Sequence, residues 1–168
     1  MGSRTLLNWL NYPLIKIDEI NKRLDAVEFI KNEHPLRLDL RNLLGRVSDL
    51  ERLASRVSMK SANARDLIGI RESLKVIPLI KELLSGAQAK LLQEINQGLE
   101  SLEHLVELLE RAIADDAPSV LHEGRLIKKG FNKELDELVA LQRDARSYLA
   151  QLEAKEREKT GIPSLKTV

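Results

Sequence analysis

The chain has 168 residues, 27 Lys plus Arg against 26 Asp plus Glu, a net charge of +1, 43% hydrophobic residues, 3% aromatics and no cysteine. That apolar fraction excludes a disordered chain, and the absence of cysteine excludes disulfides, thiolate zinc sites and cysteine nucleophiles. The even charge balance argues against a protein held to nucleic acid by bulk electrostatics alone.

Leu dominates the apolar positions, with Glu, Lys, Arg and Ala between them, an alphabet that loses little side-chain freedom in a helix. In chain order, a short helix is predicted near Arg4–Asn11, with Trp9 as its core anchor. A second runs from a cap at Asp18 to about Asn32, and two shorter ones follow near Leu36–Leu44 and Asp49–Val57. Ser48 with Glu51 three residues on fits a capping box for the last of these, and Asn63 with Asp66 repeats the pattern for the next. That next helix runs through Leu74 to Pro78, whose ring should end or kink it.

Leu92, Ile95, Leu99, Leu102, Val106, Leu109 and Ile113 alternate steps of three and four, which places them on one stripe of one predicted helix. Its far face carries Glu100, Glu103, Glu107 and Glu110. This acidic ridge reads as a solvated face in preference to a docking strip for a basic partner. His104 at helical spacing from Glu100 and Glu107 suggests a local charge pair. After Pro118 the residues near 119–129, around Gly124, form a short extended excursion or hairpin. From Phe131 to Lys159 there is no Gly or Pro, and Leu138, Leu141, Ala145, Tyr148 and Leu152 repeat the three-four spacing. A helix of that span is about 43 Å long at 1.5 Å per residue.

The chemical inventory is poor. His34, His104 and His122 are far apart in sequence, so metal ligation is disfavoured. No G-x-x-x-x-G-K-[ST] loop, nucleophile elbow or dinucleotide fingerprint occurs, and Gly86 followed by Lys90 lacks the second glycine and the hydroxyl. Lys155, Arg157, Lys159 and Lys166 could approach a phosphate backbone, but Glu153, Glu156 and Glu158 are interleaved with them, and helix-stabilising pairing is the more economical reading. No apolar run reaches the roughly 18 residues of a membrane span, and the start lacks a secretory pattern. The expectation is an intracellular, all-α chain. Residues 1–60 carry a net +3, 61–117 a net −4 and 118–168 a net +2, an asymmetry too mild to choose a partner.

Blocks of residues along the whole chain resemble one family. Gly2-Ser3-Arg4, Leu6 or Leu7, Trp9-Leu10 and Pro13-Leu14 look like the opening of the helical core of the MutS mismatch-repair proteins. Ile20 and Arg23-Leu24-Asp25-Ala26-Val27 continue the pattern, followed by Asp49-Leu50-Glu51-Arg52-Leu53, Arg56-Val57, Arg65-Asp66-Leu67, Ser73-Leu74 and Ile77-Pro78. Glu123-Gly124, Ile127, Gly130-Phe131 and Leu135-Asp136-Glu137-Leu138 match the entry to that family's long lever helix. Glu156, Thr160-Gly161-Ile162, Leu165 and Lys166 match the point where the lever gives way to the clamp. Arg125 stands where a second glycine is usual, and Phe131-Asn132 where Tyr-Asp is more common.

The resemblance implies an all-α fold with a multihelical core at 1–117, a connecting segment at 118–130, a lever at 131–160 and the start of a clamp at 161–168. It implies a mechanical role, with Leu138, Leu141, Ala145, Tyr148 and Leu152 packing the lever and the Leu92–Ile113 stripe forming the core seam. Asp49, Glu51, Arg52 and Arg56 form either a polar tie between short helices or simple caps. The Phe-x-Glu signature of mismatch reading is missing, since Phe29 and Phe131 are followed two residues on by Lys31 and Lys133. The chain is therefore expected to carry no enzymatic site or cofactor of its own. ATP and Mg, mismatched DNA, MutL, a homodimeric state and a cytoplasmic location belong to what the family implies for the longer protein. A free-standing helical adaptor is the competing reading.

Overall fold

The computed structural model of the chain describes residues 2–120 and 124–161. Among them the regular elements are α1 (Ser3–Asn11), α2 (Ile17–Asn32), α3 (His34–Gly45), α4 (Leu50–Ser58), α5 (Ala64–Leu84), α6 (Lys90–Gly98), α7 (Glu103–Ala112) and α8 (Lys133–Thr160). The described residues contain no sheet, and the fold is all-α. The chain divides into two compact units, Met1–Leu126 and Ile127–Val168, the first holding α1–α7 and the second α8.

Helix α5 organises the first unit, packing against α3, α4, α6 and α7, while α2 packs against α3 and α6. The reason is compositional: Leu74, Val76, Ile77, Ile80 and Leu84 are all buried along α5, with Val76 fully so. Val76, Ile80 and Leu84 join Val47, with Leu40, Leu43, Leu50 and Leu99 packed around them. A second cluster joins Ala26 of α2 to Ala87, Ala89 and Leu92, with Phe29, Ile30 and Leu91 at its edge. Ala87 and Ala89 lie in the connection before α6, so small residues there pack that connection on Ala26.

Pro78 does not end its helix. α5 continues six residues beyond it to Leu84. The lost donor and the ring clash are local costs, and burial of Ile80 and Leu84 past the proline outweighs them. Asn63 and Asp66 do form the expected capping box: the Asn63 carboxamide oxygen accepts from the Asp66 N–H at 2.9 Å, and Asp66 accepts from the Asn63 N–H at 2.8 Å. At α4 the cap is one residue later than expected. Asp49 accepts from the Arg52 N–H at 3.1 Å, whereas the Ser48 N–H donates to the Ser73 hydroxyl at 2.9 Å. At α2 the capping position is Lys16, and Asp18 sits inside the first turn. Its charge there opposes the positive end of the helix dipole in place of capping it.

The stripe from Leu92 to Ile113 does not lie on one helix. The segment breaks into α6 and α7, and Leu102 takes a left-handed conformation at φ 46°. Leu92, Leu109 and Ile113 are buried, but Ile95 and Leu102 are exposed, so the core seam is two short faces. The break is held by tertiary contacts: Leu99 packs on the α5 cluster, and its carbonyl accepts from Lys81 Nζ at 2.6 Å. The break falls directly after Gly98, a poor helix former that ends α6, and the Leu99 contacts then hold it. Glu100 consequently lies outside α7, and among the described residues His104 makes no ion pair with it or with Glu107. Trp9 is no core anchor. It is 42% exposed, and the Arg23 guanidinium lies 3.9 Å over its ring. In the expected extended excursion, residues 121–123, including His122, lie outside the described residues. Within it, the Leu126 carbonyl accepts from the Ala114 N–H at 2.9 Å.

Candidate functional site

The feature that stands out is α8 with the turn that starts it. Asn132 caps the helix through its side-chain oxygen, which accepts from the Leu135 N–H at 2.9 Å. One turn on, Asp136 reaches back and accepts from the Gly130 N–H at 2.7 Å. Gly130 needs its φ of 89°, a conformation that a Cβ would strain. At the far end Gly161 closes the helix in the left-handed conformation at φ 70°, donating to the Arg157 carbonyl. Between these caps run 28 residues without a breaker, about 42 Å at 1.5 Å per residue.

No described side chain of α8 is buried. Leu138, Leu141 and Tyr148 are 58%, 66% and 67% exposed, Ala145 is exposed, and Leu152 is half-buried. Exposed apolar side chains thus recur at three-four spacing along α8, with Leu152 the more covered member. Of the basic residues near its end, Arg157 donates to Glu153 at 3.3 Å one turn back, and Lys155 is exposed. Lys166 and the expected start of the clamp beyond Gly161 lie outside the described residues.

The first unit holds its helices with polar ties as well as the two clusters. Asp49 and Glu51 do meet in one tie, but through a residue that periodicity does not single out: Arg4 of α1 reaches Asp49 at 2.5 Å and Glu51 at 3.1 Å. The Arg52 N–H, and then Arg4, hold the Asp49 carboxyl below its ordinary range. Arg52 contributes through its backbone, and Arg56 turns instead to Asp66 at 3.0 Å and to the Ser61 carbonyl at 3.2 Å. Two further ties join α5 to the α7 region: Lys75 to Glu110 at 2.5 Å and Arg71 to Asp115 at 2.7 Å. Burial pulls the Arg71 pKa down, but hydrogen bonds to Asp115 and Glu72 outweigh it and leave it raised. The spacing of Arg71 to Leu74 and Ile77 already puts it on the buried face of α5, the one cue in the sequence that could have found it.

Among the described residues no three His, Cys, Asp or Glu side chains cluster where they could hold a metal ion. No helix among the described residues is long and apolar enough to cross a membrane.

Comparison with known proteins fits this arrangement. The family model for MutS domain III matches residues 1–161. The DNA mismatch repair protein MutS of Pelotomaculum thermopropionicum is 48% identical over 167 residues, which cover 99% of this chain and 19% of that protein. MutS of Caldicellulosiruptor bescii is 43% identical over 166 residues, and MutS of Methanosarcina barkeri 45% identical over 170, with the same shares covered. The chain thus spans about a fifth of the length of the curated relatives it matches. With the whole helical array inside the matched range, this chain belongs to the MutS domain III family.

Proposed function

We propose that the chain is the core-and-lever portion of a DNA mismatch-repair ATPase, and that it transmits mechanical state between a nucleotide site and a DNA-gripping clamp elsewhere in the longer protein. In this reading residues 1–117 are the core, 118–130 the connection, 131–160 the lever and 161–168 the beginning of the clamp. The observation that carries it is α8, a 28-residue helix capped at both ends, with Leu138, Leu141 and Tyr148 exposed along it. Packed helices move as units between discrete arrangements, so a stiff helix passes a shift from one end to the other without absorbing it. Coupling then consists of a free-energy difference between two lever arrangements, each favoured by a different ligand. Leu138, Leu141, Ala145, Tyr148 and Leu152 supply the packing that makes those arrangements distinct. Nucleotide chemistry is left to ATP and Mg held by another part of the longer protein, which also supplies the contacts to mismatched DNA, to MutL and to a second subunit.

The test breaks the lever and leaves both ends intact. In a full-length protein carrying this segment, Ala145→Pro removes a helical hydrogen bond and kinks α8 at its middle. Mismatch binding and ATP hydrolysis are expected to survive, while the effect of ATP on DNA affinity falls by at least about fivefold, the lower end of ordinary coupling. Unchanged ATP dependence would refute the role. The 168-residue chain alone is expected to bind matched and mismatched duplexes equally and weakly, with an affinity that falls as salt rises. A preference for the mismatch in paired titrations would place the reader within these residues.

A further inference from the structure

Arg71 is a buried guanidinium on α5, its side chain only 7% exposed. Taking a charge out of water is costly, and an apolar residue of similar size at such a site is often no worse for stability. What an apolar residue could not do is reach Asp115. Arg71 Nη1 donates to Asp115 Oδ1 at 2.7 Å across 44 residues of sequence, while its Nε is occupied by neighbouring Glu72 at 2.9 Å. Asp115 lies in the turn that follows α7. That turn is seated between buried Ile113 and buried Ala117, and the Ala117 N–H donates to the Ala114 carbonyl at 3.2 Å. Its other bond runs forward: the Ala114 N–H donates to the carbonyl of Leu126, the last residue of the first unit and the covalent step before the second.

We infer that the Arg71–Asp115 pair is a latch that fixes the 114–117 turn, and through the Ala114–Leu126 bond fixes the point from which the chain leaves the first unit. Latched, the turn presents the Ala114 N–H to Leu126. Released, the turn is free to rotate, and the Ala114–Leu126 bond is no longer held in place. Arg71 donates from a planar guanidinium whose N–H directions are fixed, so its bond to Asp115 sets the orientation of the turn. This inference rests on the lever reading for its purpose but not for its test.

Amide hydrogen exchange on the 168-residue chain, without nucleotide or DNA, separates a local latch from general stability. The Ala114 amide reports the latch, and the amide of fully buried Val76 reports the core. In Asp115→Asn and in Arg71→Met, exchange at Ala114 is expected to accelerate at least about fivefold more than at Val76, and the double variant is expected to match the singles. An excess below about fivefold in both single variants overturns the latch. Asp115 is mostly exposed, so its variant keeps the test decisive should Arg71→Met fail to fold. Failure here would leave the coupling reading standing, and loss of that reading would leave the exchange result intact.

Discussion

Leu102 holds φ 46° and ψ 43° at the start of α7, a conformation in which a Cβ crowds the following carbonyl. Leu102→Ala and Leu102→Gly lose the same leucine, so their difference isolates the backbone. The glycine chain is expected to be more stable by about 1 kcal/mol in urea unfolding, the reverse of the usual order. Equal midpoints would mean that the joint relaxes in both. Arg125 shows the same physics, with φ 56° at a position where the resemblance to MutS makes a glycine usual. Asp49 carries a prediction in pH. The Arg52 N–H and then Arg4 depress its pKa, so the unfolded chain binds the proton more tightly. Its contribution is therefore complete above the ordinary aspartate value of about 3.9 and is lost as pH falls through the lower folded value. Asp49→Asn keeps an equally good cap and removes the titration. Urea midpoints of the two chains should differ at neutral pH and converge in acid. Because the Arg4 pair is exposed, the gap should also shrink in about 1 M salt. A gap constant across the acid range would contradict the assignment.

At the scale of elements, α5 shows how local rules yield to packing. Pro78 is exposed, so Pro78→Ala gives up little contact while restoring a helical donor and relieving the ring clash. Part of that gain is offset because the unfolded chain also regains freedom. The net expectation is about 1–2 kcal/mol of added stability, read from the denaturant midpoint; a loss would show that the ring itself packs. Residues that act through neighbours in sequence were legible: the Asn63–Asp66 box, the breaker-free span of α8, and the family blocks from Gly2 to Leu138. Those that act across the fold were not. Spacing alone could not reveal that Lys81 takes the Leu99 carbonyl and so holds a break inside a seven-residue stripe. Nor could it show that Ser73 draws the Ser48 N–H away from a capping role. Arg4 is likewise invisible to periodicity, because its partners Asp49 and Glu51 lie 45 and 47 residues away.

For the molecule as a whole, apolar side chains stay exposed on more than one helix. On α1 no residue is buried, and Leu6, Leu7 and Leu10 face solvent; on α8 the exposed Leu138, Leu141 and Tyr148 recur at coiled-coil spacing. Burying one such side chain is worth about 1.5–3 kcal/mol, and two copies of α8 would bury six. Association itself costs from about 4 to more than 15 kcal/mol before any gain appears. The sum is close enough to zero that the chain should be monomeric when dilute and self-associate as it is concentrated towards about 100 µM. Leu141→Lys and Tyr148→Glu should each abolish that association in sedimentation equilibrium while leaving helix content unchanged, since both side chains are exposed. A monomer throughout that range would mean that the stripe is too weak to pair with a copy of itself. A lever whose surface needs a different partner helix would behave in that way, and adding the rest of the protein in cis would then be required to dry it. Association that survives both substitutions would instead assign the contact to α1, where Leu10→Lys becomes the deciding variant.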